Sequence, residues 1–151
     1  MIKIICVGKI KESFYRDAIK EYLKRLNKYT KIEIHECKDY SDLPINDILV
    51  HEKNEIEKFV NPRDYLITLE IDGTQFSSED LARKIDSILI NNSNITFIIG
   101  GSYGLHDEIK NRSNLKLSFS KMTFPHQLFR VILLEQLYRC YKINNNESYH
   151  K

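Results

Sequence analysis

The chain has no tryptophan, three prolines, five glycines and three cysteines among its 151 residues. So little glycine and proline excludes a collagen-like or low-complexity chain. Cys6, Cys37 and Cys140 are odd in number, far apart and form no C-x-x-C pair, so neither a disulfide scaffold nor a zinc or other metal site is expected. Reduced thiols fit a cytoplasmic protein. No apolar run approaches the roughly 20 residues that span a bilayer. The N-terminal run Ile4-Ile5-Cys6-Val7 is too short for the apolar core of a signal peptide, so neither a membrane protein nor a secreted precursor is expected. Also missing are the H-E-x-x-H of zinc proteases, the G-x-x-x-x-G-K-[ST] of a P-loop and the G-x-G-x-x-G of a dinucleotide site. No Ser-His-Asp or Cys-His arrangement follows from the spacing.

What is present describes a folded protein. Hydrophobic residues make up 42% and aromatics 11% of the chain, enough for a core and too much for disorder. The length suits a single domain covering residues 1–151, with no linker, repeat or biased segment. The net charge of +2 hides an asymmetry: residues 1–31 carry +6, residues 32–80 carry −9 and residues 81–151 carry +5. The basic first segment holds Lys9, Lys11, Arg16, Lys20 and Lys24. It can bind a polyanion by displacing counterions. Glu12, Asp17 and Glu21 are interleaved with it, and an ordinary solvated helix face accounts for it as well.

The apolar pattern predicts strands at residues 2–7, 31–36, 64–69, 95–99 and 115–119. Helices are predicted at 11–27, 47–59, 79–91, 106–112 and 125–143. In the first helix Phe14, Ala18, Tyr22 (or Ile19) and Leu26 fall near one face. Ser77 or Ser78 suits the cap of the third, with Glu79 and Asp80 in its first turn. Asp72-Gly73 is expected to end the third strand, and Pro125 to occupy the first turn of the last helix. Strands alternating with helices define an α/β domain, with a mostly parallel sheet flanked by helices. The uninterrupted Ile95–Ile99 run suits a central strand covered on both faces. In the last helix Leu128, Phe129, Val131, Ile132, Leu133, Leu134, Leu137, Tyr138 and Tyr141 surround most of the axis. A helix apolar nearly all round must be buried nearly all round, which in so small a domain predicts a homodimer built on this helix.

Ligands of open α/β sheets bind beyond the carboxyl ends of the strands. Three stretches fall there: Glu70-Ile71-Asp72-Gly73, Gly100-Gly101-Ser102-Tyr103-Gly104 and Ser118 to Phe124. The glycine cluster serves equally for close approach of backbone to a ligand or for a tight turn. His106, His126 and His150 are scattered, and composition gives each no more than a surface or capping role. The terminal Tyr149-His150-Lys151 is, on the same ground, a solvated end.

Longer stretches carry a resemblance. Ile98 to Gly104, the run Ser118-Phe119-Ser120-Lys121-Met122-Thr123-Phe124-Pro125-His126-Gln127-Leu128-Phe129-Arg130, Glu135 to Arg139, and the ending Tyr149-His150-Lys151 together resemble the RlmH family. These are the ribosomal large-subunit pseudouridine N3-methyltransferases, minimal members of the SPOUT class. The resemblance covers the whole chain, is strongest from residue 95 onward, and is weakest over 37–60, which looks short.

The resemblance implies a SPOUT-type fold with a C-terminal trefoil knot, a homodimer, and S-adenosylmethionine as co-substrate, with no metal. The implied substrate is N3 of a pseudouridine in 23S rRNA, on the assembled ribosome. Carried over by position, the cofactor site comprises Leu69, Gly100, Phe119, Ser120, Lys121, Met122, Thr123 and Phe124. The implied catalytic tail is Tyr149, His150 and Lys151, reaching across the dimer. Tyr149 would hold the base. His150, with an ordinary pKa near 6.5, would take the N3 proton. Lys151 would hold a phosphate or the N3 anion. Lysine stands at 151 where the family more often has arginine, keeping the charge and losing the planar fork. The basic first segment would contact rRNA phosphates. Two other readings compete: a SPOUT methyltransferase acting on tRNA, and a non-catalytic dimeric module binding a nucleotide or RNA. Cofactor binding separates the module from the enzymes, and the choice of RNA separates the enzymes from each other.

Overall fold

The computed structural model describes residues 1–151. The elements alternate as the pattern requires. They are β1 (Ile2–Val7), α1 (Ser13–Leu26), β2 (Ile32–Cys37), α2 (Ile45–Glu57), β3 (Tyr65–Gln75) and α3 (Ser78–Asn91), followed by β4 (Ile95–Ile99), α4 (Asp107–Arg112), β5 (Leu115–Ser118) and α5 (His126–Asn144). The five strands form one sheet in the order β2-β1-β4-β3-β5, every neighbouring pair parallel. No helix is long and apolar enough to cross a membrane.

Strand alternation splits the apolar residues between two faces. Ile2, Ile4 and Cys6 of β1, Ile67 of β3, and Ile95, Phe97 and Ile99 of β4 share one core with Leu26 of α1, Leu81, Ile85 and Ile88 of α3, and Leu133, Leu134 and Leu137 of α5. Ile5, Val7, Leu66 and Ile98 point the other way, to Ile56 of α2 and Ile109 of α4. All five β4 residues are buried, as expected of a central strand. Burial pushes the thiols of Cys6 and Cys140 up to about 12 and that of Cys37 to about 11, so all three are protonated at neutral pH.

Polar pairs close the sheet at both ends. At the amino end, buried Asp64 accepts from the Thr96 hydroxyl at 2.7 Å and from the Lys3 ammonium at 3.4 Å. At the carboxyl end, α5 sends Arg130 into the molecule, where it is 1% exposed. Its guanidinium donates to the carbonyls of Val7 at 3.0 Å and Gly8 at 2.6 Å, and to the Glu36 carboxylate at 2.8 Å. The last helix is thereby fixed to the ends of β1 and β2.

Three details depart from the sequence pattern. First, β3 does not stop at Asp72-Gly73. Leu69 and Thr74 both pair with Leu117, so residues 70–73 bulge out of the ladder and the strand resumes to Gln75. Gly73 belongs to that bulge for steric reasons, since a Cβ there would stand 2.6 Å from the Lys116 carbonyl oxygen. Second, Phe14 does not join the buried face of α1: it is 62% exposed, while Leu26 is buried and Ile19, Tyr22 and Leu23 pack on the core. Each i+4 step drifts by about 40°, so three such steps carry Phe14 about 120° away from Leu26. Third, Pro125 caps α5 from just outside, and His126 is its first residue.

Helix α5 lies between α1 and α3 over the sheet. Arg130, Leu133, Leu134, Leu137 and Cys140 form its buried stripe. The rest of the helix is half-covered, including Leu128, Val131, Ile132 and Tyr138. Replacing Arg130 by alanine would orphan two carbonyls and part of the Glu36 charge. Glu36 stays partly open to water, so the loss comes mainly from the two buried carbonyls left unpaired, and Arg130→Ala should lose about 2–4 kcal/mol in urea unfolding, with an unchanged denaturant slope. A loss below about 1 kcal/mol would show that the clamp contributes little.

Candidate functional site

The three strand-end stretches meet in one cleft. It has a volume of about 520 Å³, within the range of small-molecule sites. The bulge of β3 gives one wall through Glu70, Ile71 and Asp72. The turn after β4 gives the second through residues 100–104, and the loop after β5 gives the third through Phe119, Ser120, Met122, Thr123 and Phe124. Of the eight cofactor residues expected from sequence, Leu69, Gly100, Phe119, Ser120, Met122, Thr123 and Phe124 line the cleft, and Lys121 does not.

Each wall is set by local chemistry. Gly101 and Gly104 bridge one another, with the Gly104 amide donating to the Gly101 carbonyl at 3.1 Å. Gly104 has φ +80°, and a Cβ on Gly100 would stand 2.6 Å from the Gly104 oxygen. The glycine cluster is therefore a tight turn in its own right, and one that exposes backbone to the cleft. In the third wall the Ser118 hydroxyl donates to the Ser120 carbonyl at 3.2 Å, and the Met122 amide donates to the Ser120 hydroxyl at 3.0 Å. Phe129 of α5 stands behind it, its ring 5.0 Å from that of Phe119 and 6.2 Å from that of Phe124. This makes the third wall aromatic. The first wall carries charge: Glu70 accepts from the Thr68 hydroxyl at 2.7 Å and lies 3.7 Å from the Lys110 ammonium, and Asp72 lines the same wall. Ile71, Tyr103, Met122 and Phe124 leave the rim apolar and open to solvent.

Lys110, Phe129 and His126 join the site without having been marked in the sequence. Their elements reach the cleft through tertiary packing, which spacing does not encode. His126 is half-buried at the start of α5. Burial, and then the Arg130 charge, hold its pKa below the ordinary value against the opposing pull of Asp39. Its imidazole is neutral at pH 7 and faces the cleft.

The terminal residues lie elsewhere. Tyr149 donates to Glu135 at 3.1 Å and packs against Tyr138, with the Arg139 guanidinium 4.8 Å from its ring centre. Burial, and then the Glu135 contact, raise its phenol pKa. His150 is 2.7 Å from Glu79 and 3.2 Å from Arg139, and the histidine contact lowers the Glu79 pKa. Upstream, Lys142, Tyr29 and Lys28 hold the Glu147 carboxyl down at about 2. The tail thus rests on the outer face of α5 and the first turn of α3. Tyr149, His150 and Lys151 line no part of their own chain's cleft.

A parallel α/β sheet whose strand ends and last helix enclose such a cleft has clear counterparts. The family model described as "Predicted SPOUT methyltransferase" matches residues 1–150, and the chain belongs to that family. Among its relatives, the ribosomal RNA large subunit methyltransferase H of Clostridium novyi is 51% identical over 99% of both chains. The protein of that name from Natranaerobius thermophilus is 48% identical over 98% of both chains. In fold alone the chain also matches a solved "probable methylase family protein" from Haemophilus influenzae, with TM-score 0.56 and 12% identity, over 99% of this chain and 70% of that one.

If the glycine turn forms the ligand's wall, Gly100→Ala must push residues 101–104 out of place at a cost of about 1–3 kcal/mol. The variant should still fold and should bind the methyl donor at least tenfold more weakly by calorimetry. Unchanged affinity would remove the turn from the site.

Proposed function

We propose that the protein transfers a methyl group from S-adenosylmethionine to N3 of a pseudouridine in 23S rRNA, acting in the cytoplasm on the assembled ribosome. The observation that carries this reading is the meeting of three separate strand ends in one cleft lined by seven of the eight residues that the family resemblance marks. The relatives' names supply the class of RNA.

The cleft suits the co-substrate. Phe119, Phe124 and Phe129 offer flat apolar surface for an adenine ring. The turn at Gly100 and the loop 119–124 offer backbone groups. Glu70 and Asp72 offer negative charge to a ligand bearing a sulfonium and an ammonium. When bound there, S-adenosylmethionine supplies an electrophilic methyl group. The protein's remaining tasks are to bring N3 of the base within about 3–3.5 Å of that methyl in line with the breaking bond and to accept the N3 proton. In this reading Tyr149 positions the base, His150 takes the proton and Lys151 balances the anion. Because the tail lies outside its own chain's cleft, it acts by reaching the cleft of a second subunit. The half-covered apolar residues Leu128, Val131 and Ile132 of α5 and the apolar cleft rim support such a homodimer. The C-terminal trefoil knot belongs to the same reading.

Labelled S-adenosylmethionine should mark a large-subunit pseudouridine, with whole ribosomes better substrates than isolated subunits or naked rRNA. Label appearing on tRNA instead would overturn the ribosomal reading, and cofactor binding with no transfer to any RNA would overturn the enzyme. Deleting residues 149–151 should leave cofactor affinity within about twofold and abolish transfer. Full turnover by the shortened chain would remove the tail from the chemistry.

A further inference from the structure

The loop between β1 and α1 is braced far more heavily than a connector requires. The Ile10 amide donates to the Glu36 carboxylate at 2.7 Å, and the Lys11 amide to the Gln127 side-chain oxygen at 3.0 Å. Arg16 turns its guanidinium back onto the carbonyls of Ile10 at 3.3 Å and Lys11 at 3.2 Å. Glu36 is itself held by Arg130, and Gly8 lies under the same guanidinium. Side chains from β2, α1 and α5 therefore fix this exposed loop. Gln127 and Gly8 attach it directly to the segment that carries His126 into the cleft wall. Rigid loops placed beside a site are where recognition residues concentrate.

The rigid segment displays an unusual set of side chains. Phe14 is 62% exposed, with its ring 4.5 Å from that of Tyr15. Lys9 and Lys11 are exposed and form no ion pair. Glu12 is the one carboxylate among residues 8–16, against Lys9, Lys11 and Arg16. An exposed ring within five residues of two free cations on one braced loop matches what single-stranded nucleic acid offers: a base face for stacking and phosphates for the lysines. A partner protein's apolar groove would seat Phe14 but would leave both lysines without counter-charge.

We infer that residues 9–14 form the surface on which the RNA segment flanking the target nucleotide is held, with a base stacked on Phe14 and phosphates at Lys9 and Lys11. The inference takes the class of its occupant from the ribosomal RNA reading above. The arrangement delivers the strand to the cleft mouth on the His126 side, so sequence-tolerant stacking sets the register while the cleft performs the chemistry.

The test measures binding of the full-length protein to whole ribosomes by co-sedimentation at several salt concentrations, with methyl transfer assayed on the same preparations. Phe14→Ala should bind about tenfold more weakly with an unchanged salt slope and unchanged S-adenosylmethionine affinity, and Phe14→Trp should restore binding. Replacing Lys9 and Lys11 by glutamine should weaken binding and reduce the slope of log affinity against log salt by about 1.5, as expected for two lost phosphate contacts. Binding by Phe14→Ala equal to that of the parent would overturn the inference. So would a loss that follows a fall in the protein's own sedimentation mass, which would make this face a contact between copies of the chain. If the parent transfers no methyl to ribosomes yet binds them through Phe14, the functional reading fails while this surface stands. Transfer that does not depend on Phe14 has the opposite meaning.

Discussion

The buried guanidinium of Arg130 organises the carboxyl end of the sheet. A charge so thoroughly withdrawn from water needs partners for its donors. Both terminal nitrogens find them at the ends of two strands and in the loop that leaves one of them, while the buried Nε has none. The consequences spread outward. The start of α5 is fixed beside β1, so His126 and Phe129 face the cleft. Glu36, once oriented, can hold the Ile10 amide. The burial and positive charge beside His126 keep its imidazole neutral. One side chain thus links the last helix, the first strand and the site between them.

The cleft depends on irregularity at the strand ends. A regular β3 would pair with β5 throughout and leave no room. Instead, four residues leave the ladder between Leu69 and Thr74, and the chain returns so close to Lys116 that only glycine fits at position 73. Bulges next to sites re-aim side chains in this way. Here the bulge brings Glu70 and Asp72 to the cleft, where Lys110 already pairs with Glu70, while the loop after β5 gives it an aromatic wall.

The separation of tail and cleft gives α5 a second meaning. Its inner stripe is core, and its flanks pack on α1 and α3, so one chain covers more of this helix than its composition suggests. What remains half-covered lies beside an open apolar rim around the cleft. The tail is held against α5 and α3 by contacts of Tyr149 to Glu135, Tyr138 and Arg139 and of His150 to Arg139 and Glu79.

The sequence by itself determined the element order, the parallel α/β class and the two-faced burial of β4. These follow from local periodicity, which a single segment expresses without its neighbours. It also marked the loop after β5 that lines the cleft, because a long run from Ser118 to Arg130 is distinctive residue by residue. The tertiary structure alone decided the rest. Whether Asp72-Gly73 ends a strand or bulges from it depends on the backbone of β5, which lies more than forty residues further along the chain. Whether Phe14 is buried depends on a phase drift along α1 that becomes visible only when the sheet defines an inside. Lys110 and His126 enter the site because α4 and α5 pack where they do, and Tyr149 and His150 stand outside it for the same reason. Periodicity fixes which way a side chain points from its own element. Packing between distant elements fixes what it meets there.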